Sequence, residues 1–241
     1  MDKVQRKWIS RKSLLLFACI FFAGASVMNA ESPAVPEEEV LEYRWSLSGF
    51  KGLVARIFVP GTGRGTLTTG AHQSGTQSGT LVSELHISAP AANKRDYWLY
   101  GSEIDPEKRR TVRAWSAHHF RGKSRQKDSI LEGDAAVDLA SSIFFLRREL
   151  PEEETRTQIW SSGRLYDVAV SPGGRDARLV NGRAVRTRSY SLRGVGEPKW
   201  RGRLDLVLAE DEAATPLEIT VFRDGMRVRL ELEAPNFPAP E

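Results

Sequence analysis

From Val40 onward the chain alternates between apolar and polar positions. Leu41, Tyr43, Trp45 and Leu47 are interleaved with Glu42, Arg44, Ser46 and Ser48, which is the period-two pattern of a strand with one buried and one wet face. The alternation returns in Leu53–Val59, Thr80–Ser88, Asp96–Ser102, Thr111–Arg121, Arg156–Trp160, Arg164–Ser171, Arg183–Leu192, Leu204–Ala209, Leu217–Arg223 and Met226–Glu233. Turn signals stand between many of these segments: Gly122, Ser162-Gly163, Pro172-Gly173-Gly174, Asn181-Gly182 and Asp224-Gly225. Glycine and Asn supply the positive φ of tight hairpins, so the pattern predicts antiparallel strands joined by short turns.

One segment breaks the rhythm. Between Asp134 and Leu150, Val137, Ala140 and Phe144 fall on one helical face and Leu139, Ile143, Leu146 and Leu150 on the adjoining one. Asp134 is placed to cap the start, Asp138 lies in the first turn, Arg147 and Arg148 complement the last turn, and Pro151 ends it. Apolar residues surround most of the circumference, so this helix must be covered on more than one side. The predicted architecture is mainly β: a curved antiparallel sheet or open barrel with one buried helix, about residues 134–150. Residues 61–80, rich in Gly, Thr and Ser with Gln-Ser-Gly-Thr in tandem at 73–76 and 77–80, offer no core face and are expected to form a loop.

The N-terminus carries a different pattern. Five basic residues (Lys3, Arg6, Lys7, Arg11, Lys12) precede nine apolar ones, Leu14 to Phe22, and then the small residues Ala23-Gly24-Ala25-Ser26 and Asn29-Ala30. These are the basic, apolar and cleavage regions of a secretory signal, cut after Ala25 or Ala30, the latter favoured. The apolar span from Ser13 to Met28 is 16 residues, short of the roughly 20 that cross a bilayer, so no transmembrane span is expected after cleavage. Cys19, the one cysteine, sits inside the apolar region with Phe17 where a lipoprotein signal wants a small residue. Cleavage removes it and leaves a cysteine-free protein suited to an oxidising compartment. The expected organisation is a signal peptide at 1–30, an acidic Pro-containing linker at 31–39, one β-rich domain at 40–233, and a Pro-rich tail at 234–241. The expected location is the periplasm.

Composition then narrows the function. Of 35 basic and 31 acidic residues in the 241, five and one lie in the first thirty, leaving 30 of each in the body. A neutral exported body is not a nucleic-acid binder by bulk charge. Charge is nevertheless blocked: residues 94–127 carry +6, 128–154 carry −6, 175–203 carry +7 and 205–241 carry −6. Basic strands that pair beside acidic ones would cancel across the sheet. The alternative is an Arg-rich face, with Arg183, Arg186, Arg188 and Arg193, that meets anionic headgroups or glycans.

Catalytic constellations are missing. His118 and His119 are neighbours on a predicted strand, point to opposite faces, and so do not converge on a metal. No Gly-x-Ser-x-Gly elbow is present. Gly61-Thr62-Gly63-Arg64-Gly65-Thr66 lacks the Lys and the helix N-terminus of a phosphate cradle. Glu37-Glu38-Glu39 and Glu152-Glu153-Glu154 read as solvated runs. The chain is therefore expected to be non-enzymatic, with no metal and no cofactor.

The opening strand into Leu47-Ser48-Gly49-Phe50-Lys51-Gly52, the helix Asp138-Leu139-Ala140-Ser141-Ser142-Ile143-Phe144-Phe145-Leu146-Arg147, the hairpin Gly163-Arg164-Leu165-Tyr166 and the closing Pro216-Leu217-Glu218-Ile219 with Gly225 together resemble the exported bacterial domain-of-unknown-function family 3108, over residues 40–233. The resemblance implies a signal peptide and a β-rich envelope protein without an assigned activity. The layout is also similar to that of periplasmic lipoprotein carriers, where a curved sheet wraps a helix around an apolar cavity; this is analogy of fold. The resulting expectation is a periplasmic protein that holds a lipid, a lipoprotein or another apolar or amphiphilic envelope component between sheet and helix, with Ile143, Phe144 and Phe145 lining the site. The alternative is an envelope scaffold or assembly factor that binds a protein or glycan partner.

Overall fold

The computed structural model describes residues 38–49, 61–71, 79–88, 96–120, 122–132, 136–223 and 225–233. The expected signal peptide, most of the expected linker, the C-terminal tail and the expected strand Leu53–Val59 lie outside them. The described residues form one sheet and one helix, as the alternation predicts. Thirteen strands run β1 (Glu39–Ser48), β2 (Thr62–Ala71), β3 (Leu81–Ser88), β4 (Tyr97–Asp105), β5 (Arg110–Phe120), β6 (Lys123–Ile130), β7 (Ala136–Val137), then helix α1 (Leu139–Glu149), β8 (Thr155–Ser161), β9 (Arg164–Val180), β10 (Arg183–Gly194), β11 (Arg203–Ala209), β12 (Pro216–Arg223) and β13 (Met226–Leu232). Their order across the sheet is β6-β5-β4-β3-β2-β1-β13-β12-β11-β10-β9-β8-β7. Neighbours are antiparallel except β7 and β8, which are parallel.

The sheet curls but its edges are not hydrogen-bonded to each other. Ala114 of β5, Leu131, Ala136 of β7 and Trp160 of β8 form an apolar cluster where the two edges approach. Inside the curl, register stacks large side chains in rows: Trp45, Leu230, Ile219, Leu206 and Tyr190 are consecutive cross-strand partners. One step along, Leu47, Val228, Val221, Leu204, Leu192 and Val170 form the next row. Period-two alternation places every member of a row on the same face, which is why these strands share one core.

Helix α1 lies within the curl, against β3 and β4 on one wall and β7, β8 and β11 on the other. Every residue from Leu139 to Arg147 is buried, as its apolar circumference requires. The start differs from the expected one. Asp138, not Asp134, is the N-cap, its carboxylate accepting from the Ser141 amide at 2.9 Å while the Ser141 hydroxyl accepts from the Asp138 amide. Asp134 lies outside the described residues, and the two residues before Asp138 form β7 instead of helix. Leu150 closes the helix in the left-handed region with φ 40°, and Pro151 follows.

Two further expectations are corrected. Residues 62–71 are strand β2 between β1 and β3, not loop. Its inward positions are Gly63, Gly65, Leu67 and Thr69, and neighbours fill the space the glycines leave. A Cβ on Gly63 would sit 2.5 Å from Trp45 Nε1, and one on Gly65 2.8 Å from Leu230 Cδ2. Pro172-Gly173-Gly174 is no hairpin: β9 runs through it for 17 residues, with a register shift opposite Arg188 and Tyr190. The actual turns have positive φ at Ser162 and Gly163 and at Asn181 and Gly182. Beyond the turn signal at Gly122, Lys123–Ile130, with hardly an apolar residue and no strand reading from the sequence, forms the exposed edge strand β6.

A candidate site: the apolar cavity and its cationic side

Where the rows of the curl run past the helix, side chains leave a cavity of about 370 Å³. Among the described residues, strands alone wall it. Trp45 and Leu47 come from β1, Ile87 from β3, Trp98 and Tyr100 from β4, His118 and Phe120 from β5, Val221 and Arg223 from β12, Met226 and Val228 from β13. The size falls within the range of ligand sites, roughly 300–1,000 Å³. Local packing holds the walls. Trp45 leans across Gly63 and donates its indole N–H to the Ser88 carbonyl at 2.7 Å. Trp98 and Phe120 stack with ring centroids 6.2 Å apart.

The polar groups gather on one side. A second cleft of about 320 Å³ shares Trp98, Tyr100, His118, Arg223 and Met226 with the cavity and adds Ser116, Ala117, Arg125, Lys127 and Ser162. Arg125 is the register partner of His118 and Lys127 that of Ser116, so edge strand β6 brings both cations to this side. Arg223 donates to the Ser162 hydroxyl at 2.9 Å and hydrogen-bonds Tyr100. Burial lowers the His118 pKa, and the charges of Arg125 and Arg223 push it the same way. Burial raises the Tyr100 pKa against the opposing effect of Arg223. Among the described residues, no carboxylate lines either volume.

A narrow cleft of about 40 Å³ continues past Tyr100, Val221 and Arg223 to Asp138 and Leu139 at the helix start. There Asp138 accepts from Ser141 and from the Ser102 hydroxyl, and Thr111 donates to Ser141 Oγ at 2.8 Å. Burial pushes the Asp138 carboxyl up to about 6, against these hydrogen bonds. The second carboxylate oxygen is buried without a partner among the described residues.

The residues expected to line the site lie elsewhere. Ile143 packs in the main core with Leu67, Leu85 and Leu206. Phe144 and Phe145 pack edge to face, centroids 5.5 Å apart, in a neighbouring cluster with Ile104, Ile159 and Val168. None of the three borders the apolar cavity. Phe145 lines a separate cleft of about 330 Å³ beside Lys108, Arg109 and Glu149. Within the Arg-rich segment, Arg186 lies 3.8 Å from Glu210, Arg188, 8% exposed, grips Glu152 through both terminal nitrogens, and Arg193 donates to the Ser191 hydroxyl. Arg183 is also partnered. His118 and His119 do face opposite ways, His118 into the cavity and His119 stacked on Tyr97, centroids 6.3 Å apart. Among the described residues no cluster of His, Asp and Glu is arranged to hold a metal. None of their helices is long and apolar enough to cross a membrane.

The fold and the cavity define a single-sheet, barrel-like protein with a partly empty apolar interior. No family model matches the chain, and no curated protein matches it. Among solved structures, it is similar to a beta-barrel-like protein of domain of unknown function DUF1849 from Brucella abortus. The match covers 83% of this chain and 97% of that one, at 12% identity and a TM-score of 0.44.

Proposed function

We propose that this is an exported, non-enzymatic binding protein of the cell envelope that holds an apolar or amphiphilic component inside its curled sheet. One observation carries the reading: a cavity of about 370 Å³ walled by Trp45, Leu47, Ile87, Trp98, Phe120, Met226 and Val228 in a protein whose other rows are filled by side chains. Clefts of similar size lie beside α1 and on the polar side, but this one is set apart by a lining that is almost wholly apolar and aromatic, as ligand pockets typically are. The site differs in place from the one expected between sheet and helix, but its chemistry is the same. The N-terminal secretory pattern supports a periplasmic location, consistent with the exported character that the resemblance to family 3108 implies.

The test is native mass spectrometry of the protein purified from its own cell envelope, with organic extraction of whatever it carries. A stoichiometric amphiphile that is lost from a cavity-filling Val228→Trp variant supports the reading. An empty wild type that binds an environment-sensitive apolar dye no better than Val228→Trp refutes it.

A further inference from the structure

Among the described residues, three boundaries limit the apolar cavity. Its lining includes Leu47, Val228 and Val221 of one row, and the adjoining row is filled: Trp45, Leu230, Ile219, Leu206 and Tyr190 are each at most 1% exposed. A second boundary is the polar cleft, where Ser116, Arg125, Lys127 and Ser162 join the shared walls. The third is the narrow cleft past Tyr100 and Val221, which ends on Asp138. The second carboxylate oxygen of Asp138 is buried without a partner among the described residues, and hydrocarbon packed against it would keep water from a polar atom, at a cost in free energy.

Volume then sets what fits. A dry apolar cavity of about 150 Å³ takes up benzene, which is about 25 Å³ for each carbon. On that scale the cavity of about 370 Å³ holds about 15 carbons, and the narrow cleft of about 40 Å³ fewer than about two. We infer that the ligand buries a single hydrocarbon chain of about 12–15 carbons, lying among Trp45, Ile87, Trp98, Phe120 and Val228, with its polar head at the Ser116 and Ser162 cleft. This deepens the interior-binding reading and rests on it. A lipid with two or three chains of that length needs two or three times the volume, so its surplus chains would stay in water.

The experiment titrates the purified protein calorimetrically with monoacyl phosphatidylcholines of even chain length from six to eighteen carbons, each below its micelle concentration. The head is then constant and only the chain varies. Affinity should rise about fourfold with each added methylene and stop rising at about 12–15 carbons. Didecanoyl phosphatidylcholine should bind no tighter than the monodecanoyl form, because its second chain finds no room. Val228→Ala, which takes two carbons from the wall, should move the break about two carbons longer, and Val228→Phe, which adds four, should move it shorter by about four. The smaller substitution keeps the test readable even where the larger one fails to fold. Affinity that climbs unbroken to eighteen carbons, a didecanoyl form that gains from its second chain, or a break unmoved by Val228→Ala overturns the single chain and leaves the cavity reading intact. Absence of binding at every chain length overturns both.

Discussion

Arg147 is the most consequential charged residue in the interior, and its replacement has a calculable effect. Its side chain is 1% exposed, on the buried helix α1. The guanidinium donates to both carboxylate oxygens of Glu39 at 2.6 and 3.0 Å, and to the carbonyls of Ala213 and Ala214 at 3.1 and 3.2 Å. It thereby ties the last turn of the helix to the start of β1 and to the β11–β12 turn, where Ala214 is held at φ 46°. Arg147→Met keeps the apolar stem and leaves Glu39, with its side chain 12% exposed, without its counter-charge. Breaking one side of such a pair costs about 3–5 kcal/mol. For a domain of this size each kcal/mol lowers Tm by about 2–4 °C, so the expected fall is about 6–20 °C. Urea unfolding followed by circular dichroism measures the free energy. The double variant Glu39→Met/Arg147→Met should be less destabilised than the sum of the single ones, by about 2 kcal/mol, because no charge remains buried alone. A single-variant loss below about 1 kcal/mol, or additivity within about 0.5 kcal/mol, would refute the argument.

Three other outcomes follow from the same packing. Phe144→Ala, at a side chain 2% exposed, should cost about 3–5 kcal/mol in denaturant titration and leave ligand affinity of the folded fraction unchanged, since Phe144 does not border the cavity. Gly63→Ala should destabilise by about 1–3 kcal/mol and shift tryptophan emission, because the new methyl group meets Trp45 and the Ser88 carbonyl at 2.5 and 2.7 Å; Gly70→Ala, with nothing within 4 Å, serves as the neutral control. The Asp138 carboxyl holds its proton more tightly in the folded protein, with a pKa of about 6 against an ordinary 3.8. The folded state therefore binds more protons than the unfolded chain between those values. Stability should fall by about 3 kcal/mol as pH rises through that window and stay level above it, and Asp138→Asn should flatten this slope in pH-dependent unfolding.

What could be read along the chain was whatever one element expresses in its own residues. Alternation marked most strands, Ser162-Gly163 and Asn181-Gly182 marked their turns, and the apolar circumference of 139–147 marked a helix that had to be enclosed. Opposite orientation of His118 and His119 followed from strand geometry alone. Edge strand β6 was illegible because Lys123–Ile130 touches the core with neither face, so burial left no mark on its composition. Strand β2 was illegible for the opposite reason: it is interior, yet half of its inward face is glycine, at Gly63 and Gly65, because Trp45 and Leu230 occupy the volume side chains there would take. Pro172-Gly173-Gly174 carries turn chemistry but lies within β9, opposite the register shift at Arg188 and Tyr190.

The site depends almost wholly on that missing information. By itself the sequence determined a β-rich chain, an enclosed helix and a body without net charge, because each follows from local periodicity or composition. Only the tertiary structure decided that Ile143 and Phe144 are packed while Trp45, Trp98 and Phe120 wall a cavity, and that Arg186 and Arg188 lie beside Glu210 and Glu152. An apolar residue has the same identity in a packed row as beside a cavity, and an arginine the same identity in an ion pair as facing solvent. What distinguishes them is the neighbour brought by register from a distant strand: residue 125 against 118, and residue 223 against 100 and 162.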